Sequence, residues 1–174
     1  KKKMKVGFVS LGCSKNLIDT EIAIGILKKH GMEIVSNPED AEMIVVNTCG
    51  FIDPAKEEAI NTILEMAEYK KRKCKYLVAM GCLVQRYTDD LWIRLDKYDS
   101  FYSNIEDLLN NNINNTKKYG ALVNYPKNPF PLPSKEEFFG REVSTGENFA
   151  YIKIGEGCSN RCTYCAIPFI RGPF

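Results

Sequence analysis

Seven cysteines hold the chemistry this sequence could perform: Cys13, Cys49, Cys74, Cys82, Cys158, Cys162 and Cys165. The count is odd and no secretion signal precedes them, so a disulfide framework explains them less well than metal or redox chemistry. Three share one context. Cys13 follows Leu11-Gly12, Cys49 lies between Asn47-Thr48 and Gly50, and Cys82 follows Met80-Gly81. Each closes an apolar run and has a glycine beside it, which lets the backbone approach a bulky ligand. One such cysteine would read as a small core residue. Three in matched places point to a shared iron–sulfur cluster.

Cys158-x3-Cys162-x2-Cys165 is a tighter signal, with a spacing that lets one loop wrap a polynuclear metal site. Zinc competes, but a tetrahedral structural site wants four ligands. The one histidine, His30, lies far away at the end of a predicted helix and reads as a solvated residue. A 4Fe–4S cluster also wants four ligands, one per iron, so three thiols leave one iron open. Cys74, in Arg72-Lys73-Cys74-Lys75, has no counterpart. It is expected to ligate nothing and to be open to surface reaction.

The elements that must position these thiols alternate in type. Residues 5–11 read as a first strand, Leu17 to Lys29 as a helix with Ile18, Ile22, Ala23, Ile26 and Leu27 on its apolar face, and Gly31 as its closing glycine. A short strand is expected over Glu33–Val35, and a strand buried on both faces over Met43–Asn47. Asp53-Pro54 reads as the cap and first position of a helix whose stripe is Ala59, Ile60, Ile63, Leu64 and Ala67. Further expectations are a strand over Tyr76–Met80, a helix over Leu83–Leu95, a weak strand over Ser100–Ser103 and a helix from Ile105 to about Asn112. Ser103-x-x-Glu106 is the capping box of that last helix.

This alternation predicts an α/β domain over residues 1–115: a five-stranded, flavodoxin-like parallel sheet in the order 2-1-3-4-5, with helices on both faces. Strands 1 and 3 would then flank the switch point, with strand 4 next to it, so Cys13, Cys49 and Cys82 should converge at one carboxyl edge. Residues 116–147, rich in proline, read as a linker. A new strand is expected at Phe149–Ile154, leading into Gly155-Glu156-Gly157-Cys158 and opening a second domain over 148–174.

Composition narrows the function classes. The chain is 44% apolar and 26% charged, an ordinary globular balance. Net charge is +2, which supplies no polybasic footprint for nucleic acid. No apolar run is long enough to span a bilayer. Lys1-Lys2-Lys3 ahead of Val6–Cys13 has the outline of a lipoprotein signal, but Ser10 breaks it, and a buried strand is the better reading. Lys70 to Lys75 read as a solvated helix end rather than an RNA contact. Asn16, Asn47 and Thr48 are candidates either to tune a cluster by hydrogen bonding or to cap helices and form turns.

Cys158-Ser159-Asn160-Arg161-Cys162-Thr163-Tyr164-Cys165 resembles the cluster loop of radical S-adenosylmethionine enzymes. Ser10-Leu11-Gly12-Cys13-Ser14-Lys15-Asn16, with Asp19 and Glu21 following, looks like the opening motif of the methylthiotransferases, as does Asn47-Thr48-Cys49-Gly50-Phe51-Ile52. Gly81-Cys82-Leu83-Val84-Gln85-Arg86-Tyr87 and Ala166-Ile167-Pro168-Phe169-Ile170-Arg171-Gly172 are most similar to the branch that modifies a ribosomal protein, the RimO type.

The resemblance implies two 4Fe–4S clusters. One, on Cys158, Cys162 and Cys165, would bind S-adenosylmethionine and yield a 5′-deoxyadenosyl radical, with Tyr164 packed near the adenine. The auxiliary one, on Cys13, Cys49 and Cys82, would hold the sulfur to be inserted. The implied reaction places a methylthio group on the β-carbon of an aspartate in ribosomal protein S-twelve. Implied partners are that protein or the ribosome and a reductant such as flavodoxin or ferredoxin, with tRNA and membranes unlikely and a cytoplasmic location. No general acid or base is assignable. In the family a partial barrel and a small C-terminal domain follow, so the chain reads as an N-terminal part with no expected activity alone. The alternatives are a tRNA adenosine methylthiotransferase, a non-catalytic iron–sulfur binding module and, more remotely, a zinc protein.

Overall fold

A computed structural model describes residues 2–87, 100–101 and 135–174. Its centre is a wholly parallel sheet in the order β2-β1-β3-β4-β5. Four strands make its body: β1 (Lys5–Ser10), β2 (Glu33–Val35), β3 (Met43–Thr48) and β4 (Tyr76–Gly81). Among the described residues, only Ser100–Phe101 (β5) extend it beyond β4, paired with Val78 and Ala79. The expected fold is therefore α/β and parallel, but where five strands were expected it has four of full standing.

Apolar alternation sets the two faces. On one, Met43, Val45, Val78 and Met80 pack with Val6 against Ile18, Ile22, Ala23, Ile26 and Leu27 of helix α1 (Ser14–Lys29). On the other, Ile44, Val46, Leu77 and Ala79 pack against Ala59, Ile63 and Met66 of helix α2 (Asp53–Ala67). Every residue of β3 is buried, as a central strand covered on both sides must be. Burial of one such side chain stabilises by about 1.5–3 kcal/mol.

Two local expectations shift. Helix α2 is capped by Ile52, without a side-chain cap bond, so Asp53 and Pro54 both lie inside the first turn. Leu64 is exposed and Met66 is buried in its place, because at about 100° per residue positions 59, 63 and 66 share a face from which 64 is turned away. The expected helix over Ile105–Asn112, its Ser103/Glu106 box and the stretch 116–134 of the expected linker lie outside the described residues. Residues 82–87 are helical, and the remainder of the helix expected there also lies outside them.

The radical-SAM barrel strand expected at Phe149–Ile154 is not formed among the described residues. A strand needs a neighbour to take its backbone groups. Here the Tyr151 carbonyl accepts from Arg141 and the Phe149 carbonyl from Thr145, and no ladder partner lies alongside among the described residues. Before it, helix Lys135–Phe139 and the residues after it are fastened to α1. The buried Glu21 carboxylate accepts from both the amide and the hydroxyl of Ser144, at 2.7 and 2.8 Å, and pairs with Arg141.

Candidate functional site

The parallel order brings the carboxyl ends of β1, β3 and β4 side by side. Hydrogen bonds then draw the loops after them together. Leu11 N–H donates to the Asn47 carbonyl at 3.0 Å, carrying β1 one bond past its end. The Asn16 side-chain amide donates to the carbonyls of Leu11 and Thr48, both at 2.9 Å. Asn47 returns a bond to the Asn16 carbonyl and another to the Thr20 hydroxyl, and the Thr48 hydroxyl donates to the Met80 carbonyl at 2.6 Å. None of Asn16, Asn47 and Thr48 caps α1, whose cap is Cys13 with no side-chain cap bond; Asn16 and Asn47 tie the ends of β1 and β3 to α1, and Thr48 ties β3 to β4.

Close backbone approach depends on two glycines. Gly12 has φ +86°, and a Cβ there would lie 2.6 Å from the Cys49 Cβ and 3.0 Å from its sulfur. Cys49 therefore rests directly on the residue preceding Cys13. Gly81, at φ +95°, lets the chain turn into Cys82 where a Cβ would fall 2.3 Å from Asn47 Oδ1 and 2.6 Å from the Thr48 carbonyl. Asn47 Oδ1 is itself buried with no hydrogen-bond partner among the described residues.

The three thiols differ in exposure: Cys13 is exposed, Cys49 half-buried and Cys82 buried. The Cys82 sulfur lies 3.8 Å from Asn16 Oδ1 and packs against Ile170. Burial pushes the Cys82 thiol up to about 11, against the opposing pull of the Arg171 guanidinium. The neighbouring Cys49 and Asp19 push the same way as burial. For Arg171, burial pulls the pKa down, but Asp19, Cys82 and Glu156 outweigh it and hold the group above its ordinary range.

The second trio sits in a loop. Cys162 is exposed, Cys158 and Cys165 are half-buried, and Tyr164 is 91% exposed and covers nothing. Two backbone bonds shape the loop: Cys158 N–H to the Gly172 carbonyl, and Cys165 N–H to the Cys162 carbonyl. Among the described residues no group of three or more His, Cys, Asp or Glu side chains is arranged to hold a metal ion.

Sequence reasoning missed a set of charges that docks this loop. Lys153 bonds Asp19 at 2.8 Å and pairs with Glu156, while Arg171 bonds Asp19 at 2.6 Å, Asn16 at 2.7 Å and Glu156 at 3.3 Å. The available signal was a lysine inside the apolar run Phe149–Ile154 and two charges flanking the cysteine loop.

Cys74 departs from expectation. It is 5% exposed within the core beneath α2, with its thiol donating to the Tyr76 carbonyl at 3.2 Å, so it is not a surface thiol. The basic stretch around it is neutralised: Arg72 pairs with Glu39, Lys73 with Asp40 and Lys75 with Glu42. No helix among the described residues is long and apolar enough to cross a membrane.

Comparison with known proteins bears on this arrangement. A family described as "Uncharacterized protein family UPF0004" matches residues 5–103, more than half of the chain. A protein of Alkaliphilus oremlandii named ribosomal protein uS12 methylthiotransferase RimO is 50% identical over 98% of this chain. Proteins of the same name from Acetivibrio thermocellus and Aquifex aeolicus are 47% and 44% identical over 99% and 97% of it. The chain spans 37%, 39% and 34% of the length of these three relatives.

Proposed function

The chain belongs to the UPF0004 family, and we propose that it supplies the thiol ligands of two iron–sulfur clusters to a methylthiotransferase that acts on an aspartate of ribosomal protein uS12. The observation that carries this reading is identity of 44–50% along nearly the whole chain to proteins named for that activity. The site supports it through its donor chemistry. Three loops bearing soft thiolate donors meet at one sheet edge, and a fourth bears three more. The clusters supply low-potential electrons and sulfur, and S-adenosylmethionine supplies the radical.

The chain's own residues prepare the site. Cys13, Cys49 and Cys82 would hold the auxiliary cluster, and taking it up requires their thiols to close around it. The Asn16–Asn47–Thr48 bonds fix the three loops before any ligand arrives, so their ordering is not a cost of binding. Cys158, Cys162 and Cys165 would hold the second cluster, with the exposed Tyr164 free to pack on the adenine. Arg171 offsets negative charge beside Cys82. The division into a domain over 1–115, a connecting stretch and a second domain from 148 belongs to the same reading, as do a flavodoxin or ferredoxin reductant and a cytoplasmic setting.

Anaerobic reconstitution followed by iron and sulfide analysis tests the ligands. About eight irons per chain are expected, falling to about four when either trio is changed to alanine. Mass analysis of uS12 and of unmodified tRNA, each incubated with the protein and S-adenosylmethionine, tests the substrate. A methylthio gain on tRNA alone would overturn the assignment.

A further inference from the structure

Four charged side chains from two parts of the chain are buried together. Asp19, on α1, is 14% exposed; Lys153, Glu156 and Arg171, on the segment that carries the cysteine loop, are 4%, 4% and 7% exposed. Two cations and two anions make the buried set neutral, and the more exposed Lys15 reaches Glu156 from its rim at 3.9 Å. Burying charge is costly unless every partner is present, and removing one leaves the others uncompensated. Such a cluster therefore tolerates one arrangement and penalises others.

Within it Arg171 has a distinctive place. One guanidinium nitrogen bonds Asp19 and Glu156, and the other bonds Asn16 Oδ1. Asn16 is the residue that joins the loops of Cys13 and Cys49 through the Leu11 and Thr48 carbonyls. Asn16 Oδ1, which the guanidinium bonds, also lies 3.8 Å from the Cys82 sulfur, and the adjacent Ile170 packs on Cys82. On the loop side, Glu156 lies two residues before Cys158, and Cys158 N–H bonds the carbonyl of Gly172, next to Arg171.

The geometry points to Arg171 as a positioning residue that registers the Cys158–Cys165 loop against the Cys13/Cys49/Cys82 edge, using Asp19 as its anchor. A planar fork is needed, because three acceptors, two on α1 and one beside the cysteine loop, must be met at fixed angles, which a lysine ammonium on a flexible stem cannot reproduce. The docking stands on the ion cluster alone; the consequence for iron rests on the reading given above.

Hydrogen exchange on the ligand-free chain reads the docking. Arg171→Gln and Asp19→Asn should speed exchange of the amides of 155–172 tenfold or more, while β3 and β4 stay protected, and Arg171→Lys should fall between. If Arg171→Gln also exposes β3 and β4, Asp19→Asn, which keeps the side-chain shape, decides. Unchanged exchange of 155–172 in Asp19→Asn would overturn the docking. The iron arm uses the chain with Cys158, Cys162 and Cys165 changed to alanine, so that one cluster is observed. Arg171→Gln should shift the electron paramagnetic resonance signature of the reduced cluster, with Arg171→Lys restoring it in part. An identical spectrum would overturn the link to Cys82. Failure of the parent chain to take up iron would sink the cluster reading and leave the docking to be decided by exchange.

Discussion

The two cysteine trios are built in opposite ways. Cys13, Cys49 and Cys82 come from three strand ends whose loops are tied together by backbone and amide hydrogen bonds. Cys158, Cys162 and Cys165 come from one short loop, shaped by two backbone bonds and fastened from outside by ion pairs. The first trio inherits the rigidity of the sheet. The second depends on charges that hold only while all are in place. Failure at the edge should therefore unfold the domain, and failure at the loop should release the loop alone.

The sharpest way to break the contrast is to place a methyl group at a turn in each region. Gly81→Ala must adopt a positive φ and drive a Cβ into the Thr48 backbone. We expect a loss of about 3–5 kcal/mol in urea unfolding. Gly157→Ala, at φ +73° and 2.4 Å from the Gly172 carbonyl, should instead free residues 158–172 to proteolysis and leave the urea midpoint of the sheet within about 0.5 kcal/mol of the parent. Equal losses from both would erase the distinction.

Asn16→Ala comes next. It removes two amide bonds, one buried and one part-buried, and the acceptor used by Arg171. A loss of about 2–3 kcal/mol is expected from the carbonyls left unpaired, together with faster exchange in the cysteine loop. A change confined to the loop would show that the edge does not rely on this amide.

Titration of Cys82 sharpens the comparison further. Its folded pKa is raised, so the neutral thiol is the form the fold favours. That contribution is fully present below the ordinary thiol pKa and is lost as pH climbs toward about 11. The ligand-free chain should lose about 2 kcal/mol of stability between about pH 9 and 11, and Cys82→Ser should flatten that slope. At pH 8, alkylation should reach the exposed Cys13 and Cys162 well before Cys82. Equal labelling rates would contradict the burial of Cys82. The smallest effect is expected from Arg72→Ala, an exposed partner of Glu39, at no more than about 0.5 kcal/mol by thermal unfolding.

Much of this was legible in the sequence, because periodicity and burial are local consequences of side-chain type. The short all-apolar run Met43–Val46 read as a covered strand, and the helical spacing of Ile18, Ile22 and Leu27 read as one core-facing stripe; all of them are buried. The alternation of elements then forced a parallel sheet, and a parallel sheet forced strand ends, with their cysteines, onto one edge. What the sequence could not decide was which polar residues met. The pairing of Asp19 with Lys153 and Arg171 joins residues more than 130 positions apart, and no local pattern encodes it. Cys74 read as a surface thiol because its neighbours are cations, yet the chain folds those cations outward and the sulfur inward. The run Phe149–Ile154 has strand composition but no strand partner among the described residues, and β structure is a property of pairs. Side-chain type thus set which segments would be buried, whereas the identity of each buried charge's partner was settled only when distant segments packed, since neutralising a desolvated charge depends on proximity in space rather than order along the chain.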